Sequence, residues 1–499
     1  MPSRHSIHLC RLAATVILAI AATVPVASAT KKGAPPVKHS SEGQTVTATD
    51  GSLTITNIGK KQSFDRSQTA TLDEFIISPK SVNFHPDGTR YYVNSLEGCC
   101  TVVYDVKTGE RLKVIRHRFD NGTGPLWSEP SGYYKFSHYP NGQTRSFQGK
   151  PVESAFSHGG RYLWVPYYRR TFDINAQDPS AIAIIDTQGD SIVRMMETGP
   201  LPKFVVCSHD GKYMAITHWG NNTVGLVDIS SNDPKQWHHL PPVVVERELP
   251  LNFSLSKPVN RDNNSGLMLR GTVFTEDDRY LLTACMGGGG IAVIDMQDRS
   301  YIGKINGIYN ARHLVIGHDY LFASCNTAGL VMRLPMDSVL NGIKQRTGTN
   351  IKVSGWQQCQ VGHGARTIEL SPSGKYVFAA CNTASALYVV DTETMKVIAN
   401  ITVDSYPVGL HLSQDGQFLV TTSQAIRGYG GNAVNLFKVE YADPEAEQPT
   451  KPAEAEQPTE PNQETAQKSF EMKPWMYYTA GGGGIALILL LAWRNSKKG

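Results

Sequence analysis

The chain has 499 residues, 40% of them hydrophobic and 18% charged. That composition suits a folded domain with a real core and excludes a disordered polyelectrolyte. The net charge of +4 is too mild to imply nucleic-acid binding by itself, and it hides an acidic stretch near the C-terminus that offsets a more basic remainder.

In chain order, residues 1–29 read as a secretory leader. Arg4 and Arg11 precede an apolar run at 12–26, and Ala27-Ser28-Ala29 matches a small-x-small cleavage pattern. Cys10 lies upstream of that run, where a lipidated cysteine would not sit. The mature chain is expected to start near Thr30, with residues 30–45 as a flexible N-terminal segment.

From 46 to 441 one pattern recurs. An apolar segment meets a turn of the Pro-Asp-Gly kind and an aromatic or aliphatic strand follows. A polar loop, a strand ending in Asp, a short turn and a last strand complete the unit. The clearest copy is RTIELSPSGKYVFAACNTASALYVVDTETMKVIANI at 366–401. Its turn returns as HPDG (85–88), SHGG (157–160), SHDG (208–211), TEDD (275–278), IGHD (316–319) and SQDG (413–416). Units of about forty residues with four strands are propeller blades. The last apolar residues of the first strands are Phe84, Phe156, Cys207, Phe274, Ile316, Leu370 and Leu412, so the prediction is all-β, a seven-bladed β-propeller. Blade seven lacks a fourth strand. The alternating segment 46–57, VTATDGSLTITN, is predicted to supply it and close the ring.

Residues 442–473 are rich in Pro, Glu and Gln and form a linker that cannot bury a core. At roughly 3 Å per residue it spans at most on the order of 100 Å. Residues 475–493 are uncharged and long enough for a C-terminal transmembrane helix, with Trp475, Tyr477, Tyr478 and Trp493 at its interfaces. Arg494, Lys497 and Lys498 make 494–499 a basic cytoplasmic tail. The expected location is the inner membrane, single-pass, with the propeller in the periplasm or extracytoplasmic space and the C-terminus cytoplasmic. A sorting signal that is later removed is the rival reading of the same segment.

FHPDGTRYYVN (84–94) resembles the signature of YVTN-type β-propellers, and ALYVVDTETMKVIANI (386–401) resembles its second half. The likeness covers about 46–441. It implies the propeller fold and is shared by exported binding proteins and lactonase-like enzymes, so function must be argued from a site.

The site prediction comes from one repeat position. Four residues before each aligned apolar residue stand Lys80, Val152, Lys203, Arg270, Arg312, Arg366 and Val408. Five cations should therefore circle the channel mouth, where an anionic ligand would relieve their repulsion. Glu153 is the nearby acid. Arg169, Arg170, His218, Trp219 and Arg427 stand on loops expected at the same face and could extend the site. Long aromatic loops at 118–150 and 236–268 are expected there too.

The partner is expected to be an anionic small molecule or glycan, or an envelope protein, with nucleic acid not expected. No catalytic set, metal site or cofactor is predicted. A lactonase-like hydrolase using a mouth His or Glu153, and a protein-interaction platform, are the alternatives. Cys285, Cys325 and Cys381 recur at one second-strand position, which reads as core packing, and Cys99-Cys100 as ordinary thiols.

Overall fold

Strands such as Tyr376–Cys381 and Ala386–Asp391 are apolar on consecutive residues, so both faces of each need cover. Neighbouring sheets stacked face to face provide it. The structure is a computed structural model that describes residues 35–63, 73–139, 144–261 and 263–444. These form a seven-bladed β-propeller of seven sheets, antiparallel but for one added edge strand, each with its first strand innermost. Apolar clusters lie between adjacent blades. Val82, Tyr91 and Val93 of blade one pack with Val420, Val434 and Leu436 of blade seven, which closes the circle.

The predicted turns recur at the bottom of each first hairpin. Backbone bonds such as His85 N–H to Arg90 O (2.8 Å) and Ser371 N–H to Tyr376 O (2.9 Å) hold them. Gly374 shows why a glycine belongs there. Its φ is +72°, and an added Cβ would run into the His318 ring.

Closure follows the prediction with one change. The segment 46–57 is a hairpin: Thr45–Thr47 turns at Asp50-Gly51 into Leu53–Gln62, which pairs antiparallel with Ala433–Tyr441 of blade seven. The pairing strand runs five residues further than expected, to Gln62. Lys38 and Ser40, in the stretch expected to be flexible, are pinned. Lys38 N–H donates to Ser405 Oγ (2.7 Å), and Asn57 Nδ2 donates to Ser40 Oγ (2.8 Å).

Two further departures arise where local pattern loses to packing. A helix, Met336–Lys344, follows the third strand of blade five and buries Val339 and Ile343 beside Ile305 and Ile351. The chain leaving it adds Asn350–Ile351 in parallel to the outer strand of blade four. The loop placed at 236–268 begins with a strand, His238–Val244, the outer strand of blade three.

Among the described residues no helix is long and apolar enough to cross a membrane. The leader at 1–29, the linker beyond 444, the spanning segment at 475–493 and the tail at 494–499 lie outside them.

Candidate functional site: a cation ring at the channel mouth

Each predicted cation is the second residue of an innermost strand. Lys80 follows Pro79, Lys203 follows Pro202, Arg270 follows Leu269, Arg312 follows Ala311 and Arg366 follows Ala365. Val408 holds this place in blade seven, and in blade two Val152 follows the strand Phe147–Pro151.

Two backbone devices recur with the cations. The residue before the strand is left-handed in six blades: Ser78 (φ 51°), Leu201 (55°), Met268 (53°), Asn310 (56°), Gly364 (82°) and Tyr406 (63°). For residues with a side chain that conformation costs on the order of 1–2 kcal/mol each. In the same six blades the register to the second strand then slips between the first residue and the third or fourth, a bulge that frees the second residue from the ladder. Hydroxyls of the preceding blade fix the carbonyls at this position. Thr217 donates to Arg270 O (3.4 Å), Thr422 to Lys80 O (3.3 Å) and Ser324 to Arg366 O.

Lys80, Lys203, Arg270 and Arg366 are only 4–8% exposed, and Arg312 is half-buried. Burial first, and then Arg366, Arg270 and Lys203, hold the Lys80 amine well below the ordinary lysine range. Burial, then Arg366 and Arg270, push Arg312 the same way. Glu153 opposes the shift at both residues and lines the cavity below the ring. Aromatic faces carry part of the charge. The Lys203 ammonium sits 4.0 Å from the Tyr168 ring centre and 5.2 Å from that of Trp219, and Arg270 lies 4.6 Å from Trp219. Arg366 Nε donates to Val408 O (3.1 Å).

Below the ring a cavity of about 350 Å³ runs down the axis, lined by Ser81, Glu153, Thr367, His313, His411 and Glu369 among others. His313 Nδ1 accepts from Ile368 N–H (3.4 Å) and His411 Nδ1 from Phe84 N–H (3.3 Å). Burial pushes both imidazoles down to about 4 and the Glu369 carboxyl up to about 8. Both imidazoles are therefore neutral at neutral pH, and burial holds the Glu369 carboxyl toward its protonated form.

The structure divides the remaining predicted residues. Trp219 belongs to the ring as a platform, with its indole N–H donating to Arg261 O (3.1 Å). His218 is buried and internally bonded. Its Nε2 accepts from Gly199 N–H (3.1 Å), and its Nδ1 lies 2.7 Å from Thr223 Oγ1. Arg170 is 1% exposed. It donates to Thr144 O and Ser180 O and lies beneath Trp127, Phe136 and Phe147, so it fastens the long blade-two loop instead of facing a ligand. Arg169 donates to Asp173 O (3.1 Å), and Arg427 is exposed on the blade-seven loop.

A larger cleft, about 770 Å³, lies at the rim between blades two and three, beside Trp127, Tyr133 and Trp237. Its tryptophans are committed to packing. Trp237 is stacked between His158 and Trp164, both at 5.1 Å, and Trp127 carries Arg170 and Arg145 on its ring. The electrostatic coupling of Lys80 and Arg312 to Arg270 and Arg366 makes the inner-strand position the candidate site.

The fold is thus a seven-bladed propeller whose innermost strands carry a cation at one shared position in five blades. No protein-family model and no curated protein matches the chain. Among solved structures it is similar to hydrazine synthase of Kuenenia stuttgartiensis, with TM-score 0.50, 13% identity, and 75% of this chain and 99% of that chain covered. It also superposes on the Cps50 (Swd1) β-propeller domain of Myceliophteria thermophila, with TM-score 0.48, 12% identity, and 72% and 96% covered. At such identities the likeness shows the fold alone.

Proposed function

We propose that the protein is a ligand-capturing propeller that takes a small carboxylate or phosphate anion at its channel mouth. The observation that carries this reading is the ring itself: five cations at one strand position, close enough that they and their burial depress Lys80 and Arg312. Like charges brought together cost stability in the absence of a counter-charge, and arginine offers paired donors to carboxylate or phosphate. The likeness of its blades to YVTN-type repeats is shared by exported binding proteins and lactonase-like enzymes, and the cation position is what favours binding. On this reading the leader at 1–29 delivers the chain across the membrane, and 475–493 holds it there as a single-pass protein with the propeller outside the cytoplasm.

Calorimetric titration of the full chain with oxalate, phosphate and glucuronate tests the reading. Binding that weakens with salt and is lost in R270M/R312M/R366M, with the fold kept by circular dichroism, supports it. Unchanged binding in that variant sinks it. Turnover of sugar lactones by the wild type would favour a hydrolase instead.

A further inference from the structure

The five ring members are not chemically equivalent. Guanidinium groups do not lose their proton in proteins, so Arg270, Arg312 and Arg366 cannot relieve the repulsion by titrating. Lys203 is held between the faces of Tyr168 and Trp219, contacts that favour its ammonium form. Lys80 has no such platform. Among the described residues no hydrogen bond or ion pair reaches its amine; the residue as a whole is buried, 8% exposed, and stands in the bulge after Pro79 and the left-handed Ser78. Desolvation beside other cations is the circumstance that turns a lysine into a nucleophile at neutral pH.

We propose that Lys80 captures its ligand covalently, forming a Schiff base with the carbonyl carbon of a small 2-oxo acid whose carboxylate is held by the ring arginines. The inference rests on the anion-binding reading of the same mouth. The arginines suit the carboxylate, the adjacent carbonyl is then presented to the ring's lysine, and the cavity beneath, walled largely by Val82, Val205, Val273, Leu314 and Leu410, accepts the rest of a small acid.

The step balances without an external reagent. The Nζ lone pair attacks the carbonyl carbon, and the C=O π pair moves to oxygen, which takes up the proton that nitrogen loses. The carbinolamine then releases its hydroxyl together with the second Nζ proton as one water, leaving C=N. Addition of water reverses the sequence and frees the acid. Water carries these protons, with the Glu153 carboxylate lining the cavity beneath the ring.

The probe is pyruvate with sodium cyanoborohydride at neutral pH, added to the full chain, followed by peptide mass spectrometry. The expected result is a reduced pyruvyl adduct on Lys80, ahead of exposed lysines such as Lys113. Oxalate should suppress the adduct, and K80R should lack it. Labelling spread over exposed lysines with Lys80 unmodified overturns the covalent step. If oxalate still binds calorimetrically, that failure leaves the anion site standing; if oxalate binding is absent too, both readings fall.

Discussion

Lys60 and Asp404, 344 residues apart, form a buried ion pair of 2.7 Å where the first and last parts of the ring meet. Asn435 Nδ2 donates to the other Asp404 oxygen at 2.8 Å, and Lys60 Nζ also reaches Ser40 O at 3.0 Å. Burial raises the Asp404 carboxyl above its ordinary value despite Lys60, so the pair does not fully offset its own desolvation. Its value lies in being matched.

Removing one partner should therefore be severe. Lys60→Met strands a buried carboxylate and is expected to cost about 3–5 kcal/mol. Urea denaturation followed by tryptophan fluorescence measures it. Deleting residues 35–62 should go further and abolish the cooperative transition, since it strips the outer strands of blade seven.

The ring makes the opposite prediction for the unliganded protein. Arg312→Leu removes a cation from a cluster that repels itself, so the thermal midpoint should rise, by a gain of about 1 kcal/mol. Oxalate affinity should fall in the same variant. A variant less stable and weaker in binding would show that Arg312 is held by partners and not by function.

The buried imidazoles set the acid response. Burial pushes His117 and His218 down to about 3, and His239, His313 and His411 to about 4. From the ordinary histidine value of about 6.5 downward, the unfolded chain takes up protons that the fold refuses. Stability should then fall on acidification by up to about 1.4 kcal/mol per pH unit for each such histidine, until about pH 4 for His239, His313 and His411 and about pH 3 for His117 and His218. Glu369 acts in the other direction. Its folded carboxyl is raised to about 8, so its contribution is full below the ordinary glutamate value and is lost as pH rises toward 8. The histidines outnumber it, and denaturation midpoints between pH 4 and 7 should rise steadily.

Arg170 separates a structural cation from a functional one. Arg170→Met should loosen the loop it fastens, exposing Trp127 to acrylamide quenching and lowering stability by about 3 kcal/mol. Anion affinity should hold.

The repeat was readable because turn chemistry recurs on a fixed period, and the apolar residues from Phe84 to Leu412 align on it. The cations could be placed because they share that period. What escaped were features with no periodic mark. The helix Met336–Lys344 is a single insertion in one blade. Of the six left-handed entry residues, Leu201, Met268 and Tyr406 are types that carry no turn signal. Tyr168 came into view only through its position beneath Lys203. Glu369 and His411 stand one residue before Leu370 and Leu412, so tabulating every inner-strand position would have found them. His218 and Arg170 misled because side-chain type does not reveal which way a residue faces.

Crystals soaked in selenate and measured at the selenium edge test the cation ring most directly. The account predicts an anomalous peak on the propeller axis, within hydrogen-bonding reach of Arg270, Arg312 and Arg366. Peaks confined to surface lysines, with the mouth empty, would contradict it.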